Sequence, residues 1–144
     1  MVSIRLRPRH RDVRAGLVQE DEPVGQRTFA AGAEAAVAAN RQILVFPEGT
    51  RRAPDAAPDY KSGATALYLK LKVPCVPFAL NSGLFWPRRR LLRRPGTIVV
   101  EFLPAIPPGL PRKEFERRLV EAIEPATARL VAQARREFEG TRGP

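Results

Sequence analysis

The sequence predicts an α/β fold: a short, mostly parallel sheet flanked by helices, with an amphipathic helix at the C-terminal end. Three observations predict it. Helical and strand-like patterns alternate from residue 28 onward. The strand-like runs are continuously apolar, as in strands covered on both faces. The last segment, 112–138, carries large apolar residues at helical spacing.

Residues 1–27, "MVSIRLRPRHRDVRAGLVQEDEPVGQR", show no sustained period and carry six arginines and one acidic patch, Glu20–Glu22. They are expected to be a poorly ordered basic arm ahead of a domain at 28–144. "TFAAGAEAAVAAN" reads as a helix with Phe29, Ala33, Ala36 and Val37 on one face, closed by Asn40. "QILVF", 42–46, reads as a buried strand ended by Pro47. "SGATALYLKLK" reads as a helix: Ser62 is the candidate N-cap, Ala64, Leu67, Tyr68 and Leu71 form the apolar face, and Lys70 and Lys72 suit its last turn. "VPCVPFAL" and "GTIVVEFL" are two further strands, and "IPPGLP" is a rigid connector. In the last segment Phe115, Leu119, Ile123, Ala126, Leu130 and Phe138 mark one side. Pro125 lies inside it, which predicts a kink or two abutting helices. No internal repeat is present.

The net charge of +10, with 21 of 25 basic residues arginine, favours anionic partners: nucleic acid, phosphorylated small molecules or anionic lipid surfaces. GC-rich codon usage is an alternative source of the arginines. A single cysteine, Cys75, excludes an intrachain disulfide and sits in an apolar run, so it reads as a buried thiol rather than a nucleophile. No apolar run reaches the roughly 18 residues of a membrane span. The N-terminal arginines are followed by no apolar stretch, which argues against a signal peptide.

The chemistry-bearing stretch is "ILVFPEGTRRAPDAAPDYKSG", 43–63. In an open α/β sheet, ligands sit beyond the carboxyl ends of strands, where "PEGTRR" falls. Gly49 lets backbone approach a ligand, Thr50 offers a hydroxyl, and Arg51 offers a planar fork suited to phosphate. Glu48 is expected to orient Arg51 or to accept a hydrogen bond from a substrate hydroxyl. Lys61 lies at the start of the next helix, where backbone amides also favour an anion. It is not a Walker loop, because GxxxxGK[ST] is absent and Tyr60 precedes the lysine. An ordinary solvated strand–helix loop is the competing reading.

"VFPEGTRR", followed by "YKSGA" and "VPCVPFAL", resembles the 1-acyl-sn-glycerol-3-phosphate acyltransferase (lysophosphatidate acyltransferase) family. The resemblance covers about residues 29–138, and "NSGLFWPRRR" and "PGTIVVEFLPAIPPGLP" look like the later part of bacterial members. It implies a partial, layered glycerophosphate-acyltransferase-like fold, a truncated domain at 28–144, and an arm that is not family sequence. It implies acyl transfer to lysophosphatidate from acyl-CoA or acyl-carrier protein as co-substrate, with no resident cofactor or metal, at the cytoplasmic face of a membrane and without a transmembrane helix. Glu48, Gly49, Thr50 and Arg51 would bind the acceptor, Arg51 facing its phosphate, and Lys61 would add positive charge. Val73, Pro74, Val76 and Pro77 would match a later, mostly structural block.

The family's chemistry looks to a histidine and an aspartate separated by four residues, since a hydroxyl attacking a thioester must lose its proton to a base. The only histidine here is His10, and the matching position holds Ala15; Asp12 is too close in sequence. Arg27 stands near the place of a further family arginine, but "PVGQR" matches poorly. No catalytic residue is therefore assigned. The favoured explanation is a fragment or a mis-started reading frame. The others are a catalytically inactive phospholipid-binding relative and a base supplied by another chain.

"LFWPRRRLLRRPG", 84–96, interleaves aromatics with five arginines. Phe85, Trp86, Arg88, Arg89 and Arg90 are the expected contacts with an anionic membrane surface; a solvated basic loop is the alternative. A basic nucleic-acid-binding module is the rival function, disfavoured because no helix-turn-helix, zinc or RNP pattern appears. Oligomeric state is left open.

Overall fold

The computed structural model describes residues 2–3, 23–86 and 95–140. The elements are β1 (Val2–Ser3), α1 (Pro23–Ala38), α2 (Ser62–Leu71), β2 (Phe78–Leu80), α3 (Ser82–Phe85), β3 (Val99–Phe102) and α4 (Arg112–Gly140). Most of the segment expected to be an N-terminal arm lies outside the described residues. α1 nevertheless begins at Pro23, upstream of the expected start at Thr28.

α4 organises the core because its apolar residues fall on one side. Phe115, Leu119, Ala126, Leu130 and Ala134 are buried, with Ile123 packed beside them. Phe138, expected on the same side, has its side chain outside the described residues. The helix runs through Pro125 as a single element rather than as two abutting helices. Pro125 and residue 121 are both exposed, so water can meet the carbonyl that loses its amide donor.

One cluster joins α4 to α2 and the connector. The Tyr68 ring stacks on Phe115, centroids 3.8 Å apart and planes 8° apart, with Ile106 and Leu119 around them. The Tyr68 hydroxyl donates to the Pro107 carbonyl and accepts from the Leu110 amide at 3.0 Å. Cys75 and Ile106 form an antiparallel bridge, and burial pushes the Cys75 thiol up, away from thiolate reactivity. The second cluster packs Ala79 of β2 on Ala126 and Leu130.

The sheet has the order β1-β3-β2, and both pairings are antiparallel. This corrects the expectation of a mostly parallel sheet. The cause is visible at Asn81, which is buried. Its side-chain oxygen accepts the Val99 amide at 2.9 Å and its nitrogen donates to the Thr97 carbonyl at 3.4 Å. The end of β2 is thereby tied to the start of β3, and the chain folds back. "QILVF" also departs from expectation: residues 42–46 form no strand, and Leu44 is 57% and Phe46 51% exposed.

Side chains alternate across the sheet. Ala79 faces α4, and Glu101, its register partner, pairs there with Arg129. Phe78 and its register partner Phe102 face the other way. α1 packs on α2, with Lys70 and Glu34 3.3 Å apart. It ends at Asn40, whose φ of 52 is left-handed; the Asn40 amide bonds to Val37 and the Arg41 amide to Ala36. That is the double bond of a Schellman termination.

Candidate functional site

The site begins with a turn dictated by its sequence. Pro47 and Glu48 occupy the centre, and the Gly49 amide donates to the Phe46 carbonyl at 3.0 Å. Proline presets φ for the first central position of such a turn. Gly49 then has φ 65, which suits glycine far better than any residue with a Cβ. The Lys61 amide donates to the Pro47 carbonyl at 2.8 Å. A Cβ placed on Gly49 would lie 3.8 Å from Lys61 Cγ. The fold thus brings Glu48, Gly49 and Lys61 together, although they are separated in sequence.

Lys61, not the expected Ser62, is the N-cap residue of α2, with extended backbone and no side-chain cap. Its ammonium lies 2.8 Å from Asp59 Oδ2, and the Arg52 guanidinium also reaches that oxygen at 2.8 Å. The Lys61 hydrogen bond, aided by Arg52, holds the Asp59 carboxyl below the usual carboxylate range. Arg52 also stands 3.8 Å from Glu48. Burial pushes the Glu48 carboxyl up, partly offset by the Asp59 backbone amide and by Arg52. Glu48, Arg52, Asp59 and Lys61 form a series of alternating charge with no net excess. The expectation that Glu48 orients Arg51 is corrected, because its arginine partner is Arg52.

Arg51 stands apart from this series. It is exposed, its guanidinium lies 5.4 Å from the centroid of the Trp86 ring, and it has no ion pair among the described residues. The indole face stabilises the cation without using up its N–H donors in an ion pair. Thr50 beside it is exposed. The loop is anchored at several places. Arg135 of α4 holds Asp55 at 2.6 Å. Tyr60 donates to Glu124 of α4 at 2.7 Å, and burial, with that acidic partner, raises the phenol's pKa. A Cβ on Gly83 of α3 would come within 3.3 Å of the Pro54 ring.

Between the loop, α2 and α4 lies a cleft of about 260 Å³. Lys61 and Glu116 give it charge, and Pro47, Tyr60, Leu119 and Val120 are among its walls. A polar group held at Lys61 would thus have an apolar floor beside it.

The expected membrane contacts fare unevenly. Phe85 is corrected: it is buried, and its ring packs so closely on Gly96 that a Cβ there would fall 1.9 Å from a ring carbon. Trp86 is 42% exposed. Arg88, Arg89 and Arg90 lie outside the described residues, as does His10. Among the described residues no helix is long and apolar enough to cross a membrane, and no group of three or more potential metal ligands occurs.

Arg52 and Asp59 were not singled out by the sequence reading. Their signals were the four-residue offset between Glu48 and Arg52, and a carboxylate two residues before Lys61. Both were overshadowed by Arg51, which adjoins the threonine.

Two curated relatives resemble the chain. A 1-acyl-sn-glycerol-3-phosphate acyltransferase of Pseudomonas aeruginosa is 39% identical over 64 residues, which is 44% of this chain and 25% of that protein. A 1-acyl-sn-glycerol-3-phosphate acyltransferase of Cocos nucifera is 33% identical over 75 residues, 51% of this chain and 24% of that protein. The chain spans about a quarter of the length of these curated relatives. No family model and no solved structure matches it. The likeness is to acyltransferases of phospholipid biosynthesis, over part of the chain.

Proposed function

We propose that this chain supplies the acceptor-binding part of a lysophosphatidate acyltransferase with the layered glycerophosphate-acyltransferase architecture. In that reaction the free hydroxyl of 1-acylglycerol-3-phosphate attacks the thioester carbonyl of acyl-CoA or acyl-carrier protein. The hydroxyl proton passes to a base, the C–S bond breaks, and phosphatidate and the free thiol leave. The carrying observation is Arg51: an exposed guanidinium, braced on Trp86 and without an ion pair among the described residues, directly after the Gly49 turn. A phosphate can take two parallel hydrogen bonds from it. The N-terminal amides of α2 add positive potential, and Lys61 adds its charge where an anion draws it from Asp59. The neighbouring cleft suits the glycerol and the first part of the acyl chain. The two partial likenesses to named acyltransferases support the same reading.

Among the described residues there is no histidine to take the proton. Titration calorimetry with lysophosphatidate and an acyl-transfer assay with acyl-CoA test the reading together. The expected outcome is binding without turnover, and weaker binding in Arg51→Lys, where a point charge replaces a fork. Unchanged affinity in that variant removes Arg51 from the phosphate. Robust turnover that His10→Ala abolishes would place the missing base in the N-terminal segment. Peripheral contact with an anionic membrane belongs to the same proposal, with Trp86 as its described member.

A further inference from the structure

Residues 42–46 form no strand, but they have a strand's composition and a strand's alternating exposure, and they lack a strand neighbour among the described residues. Among the described residues, no backbone–backbone hydrogen bond engages Gln42, Ile43, Leu44 or Val45. Exposure alternates along it: Ile43 and Val45 are half-buried, whereas Leu44 and Phe46 are 57% and 51% exposed. One face lies on the protein, the outer face carries Leu44 and Phe46 beside Gln42, and a row of amides and carbonyls is unpaired. The apolar face continues from Phe46 through Phe78 to Phe102 by ring contacts at 6.1 and 6.3 Å. A lipid surface would cover these side chains but could not satisfy the backbone groups. A second strand satisfies the backbone groups and lays its own side chains beside Leu44 and Phe46.

The ends of the segment indicate which strand. Arg41 precedes it, Glu48 follows it, and no charge lies between. Arg41 is exposed and has no ion pair among the described residues, and the ion pair of Glu48 with Arg52 is long at 3.8 Å, its other partner being the Asp59 backbone amide. Laid antiparallel on itself about a twofold axis at Leu44, the segment sets basic end against acidic end twice. A parallel arrangement would set like charges together.

We propose that residues 42–46 pair antiparallel with the same residues of a second copy of this chain, with Arg41 of each copy facing the Glu48 end of the other. The contact uses the same surface on both copies, so it closes as a dimer instead of propagating. It sets Leu44 of one copy against Leu44 of the other, Phe46 against Gln42, and fills the open backbone row. This inference goes beyond the acceptor-binding reading and does not rest on it.

Sedimentation of the full chain over a range of concentrations tests it. About 0.1 M salt is suitable, since repulsion between two chains of charge +10 is screened beyond about 10 Å there. The expected result is a concentration-dependent monomer–dimer equilibrium. Leu44→Lys changes an exposed side chain and should leave the circular dichroism spectrum unchanged while abolishing the dimer. Arg41→Glu and Glu48→Arg should each be monomeric alone and form a dimer when mixed, because mixing restores opposite charges at both ends. The proposal is overturned by a monomer at every concentration, by open-ended polymers, or by a dimer that survives Leu44→Lys. It is also overturned if single charge variants dimerise as the parent does. Loss of anionic-vesicle binding in Leu44→Lys, with no dimer in the parent, would assign the face to lipid.

Discussion

Gly49 and Asp59 set the geometry and the charge of the loop, and each yields a prediction. Gly49 holds a left-handed φ of 65. Space is not its problem, since a Cβ would meet Lys61 Cγ only at 3.8 Å. The cost of Gly49→Ala is conformational, about 1–2 kcal/mol, and a lowered urea midpoint with unchanged slope is the expected readout. Asp59 occupies two cations of the loop, Arg52 and Lys61, and being exposed it binds them weakly. Asp59→Asn should release Arg52 and Lys61 and tighten lysophosphatidate binding in calorimetry; weaker binding would show that Asp59 positions these cations rather than competing for them. At this scale the sequence was partly legible. The backbone role of Gly49 and the exposed fork of Arg51 follow from residue type and order. The pairing of Arg52 with Asp59 did not, because it depends on how the loop between them closes.

α4 shows the limits of legibility for elements. Its apolar stripe is a local periodic signal, and Phe115, Leu119, Ala126 and Leu130 are buried where that signal puts them. Its first turn carries a pH-dependent contribution. Glu114 is hydrogen-bonded by Arg117 and by Arg118, which hold its carboxyl down to about 2. A depressed carboxylate stabilises the fold above its unfolded value of 4.5, and that contribution is lost as pH falls from 4.5 through about 2. Glu114→Gln should therefore lose less stability over that window than the parent, measured by thermal unfolding at stepped pH. An identical pH profile in both would show that the Arg117 and Arg118 contacts do not persist in solution. The sheet was less legible. Apolar runs at 42–46 and 73–80 carry no direction, and the antiparallel pairing is tied at Asn81, a buried amide just past the second run that the sequence does not mark for such a role. "QILVF" has a strand's composition, but a strand also needs a neighbour.

For the molecule as a whole, charge is the dominant property. The chain's +10 should draw it to vesicles containing anionic phospholipid and not to neutral ones, with binding that falls as salt rises. Co-sedimentation with the two vesicle types measures this. Salt-sensitive binding to duplex DNA without vesicle binding would instead mark a nucleic-acid partner. Charge was fully legible in the sequence; its placement was not, because internal pairing neutralises much of the loop and leaves Arg51 as its outward cation.

The contact between Arg51 and Trp86 has a practical consequence. Trp86 is the only tryptophan of the chain, and it lies directly beneath the guanidinium. The protein's intrinsic fluorescence therefore originates at the candidate site, without a label. An anion that draws Arg51 off the ring alters the quenching and polarity that the indole senses, so emission reports occupancy in real time, and the Arg51→Lys and Asp59→Asn variants can be followed by the same signal.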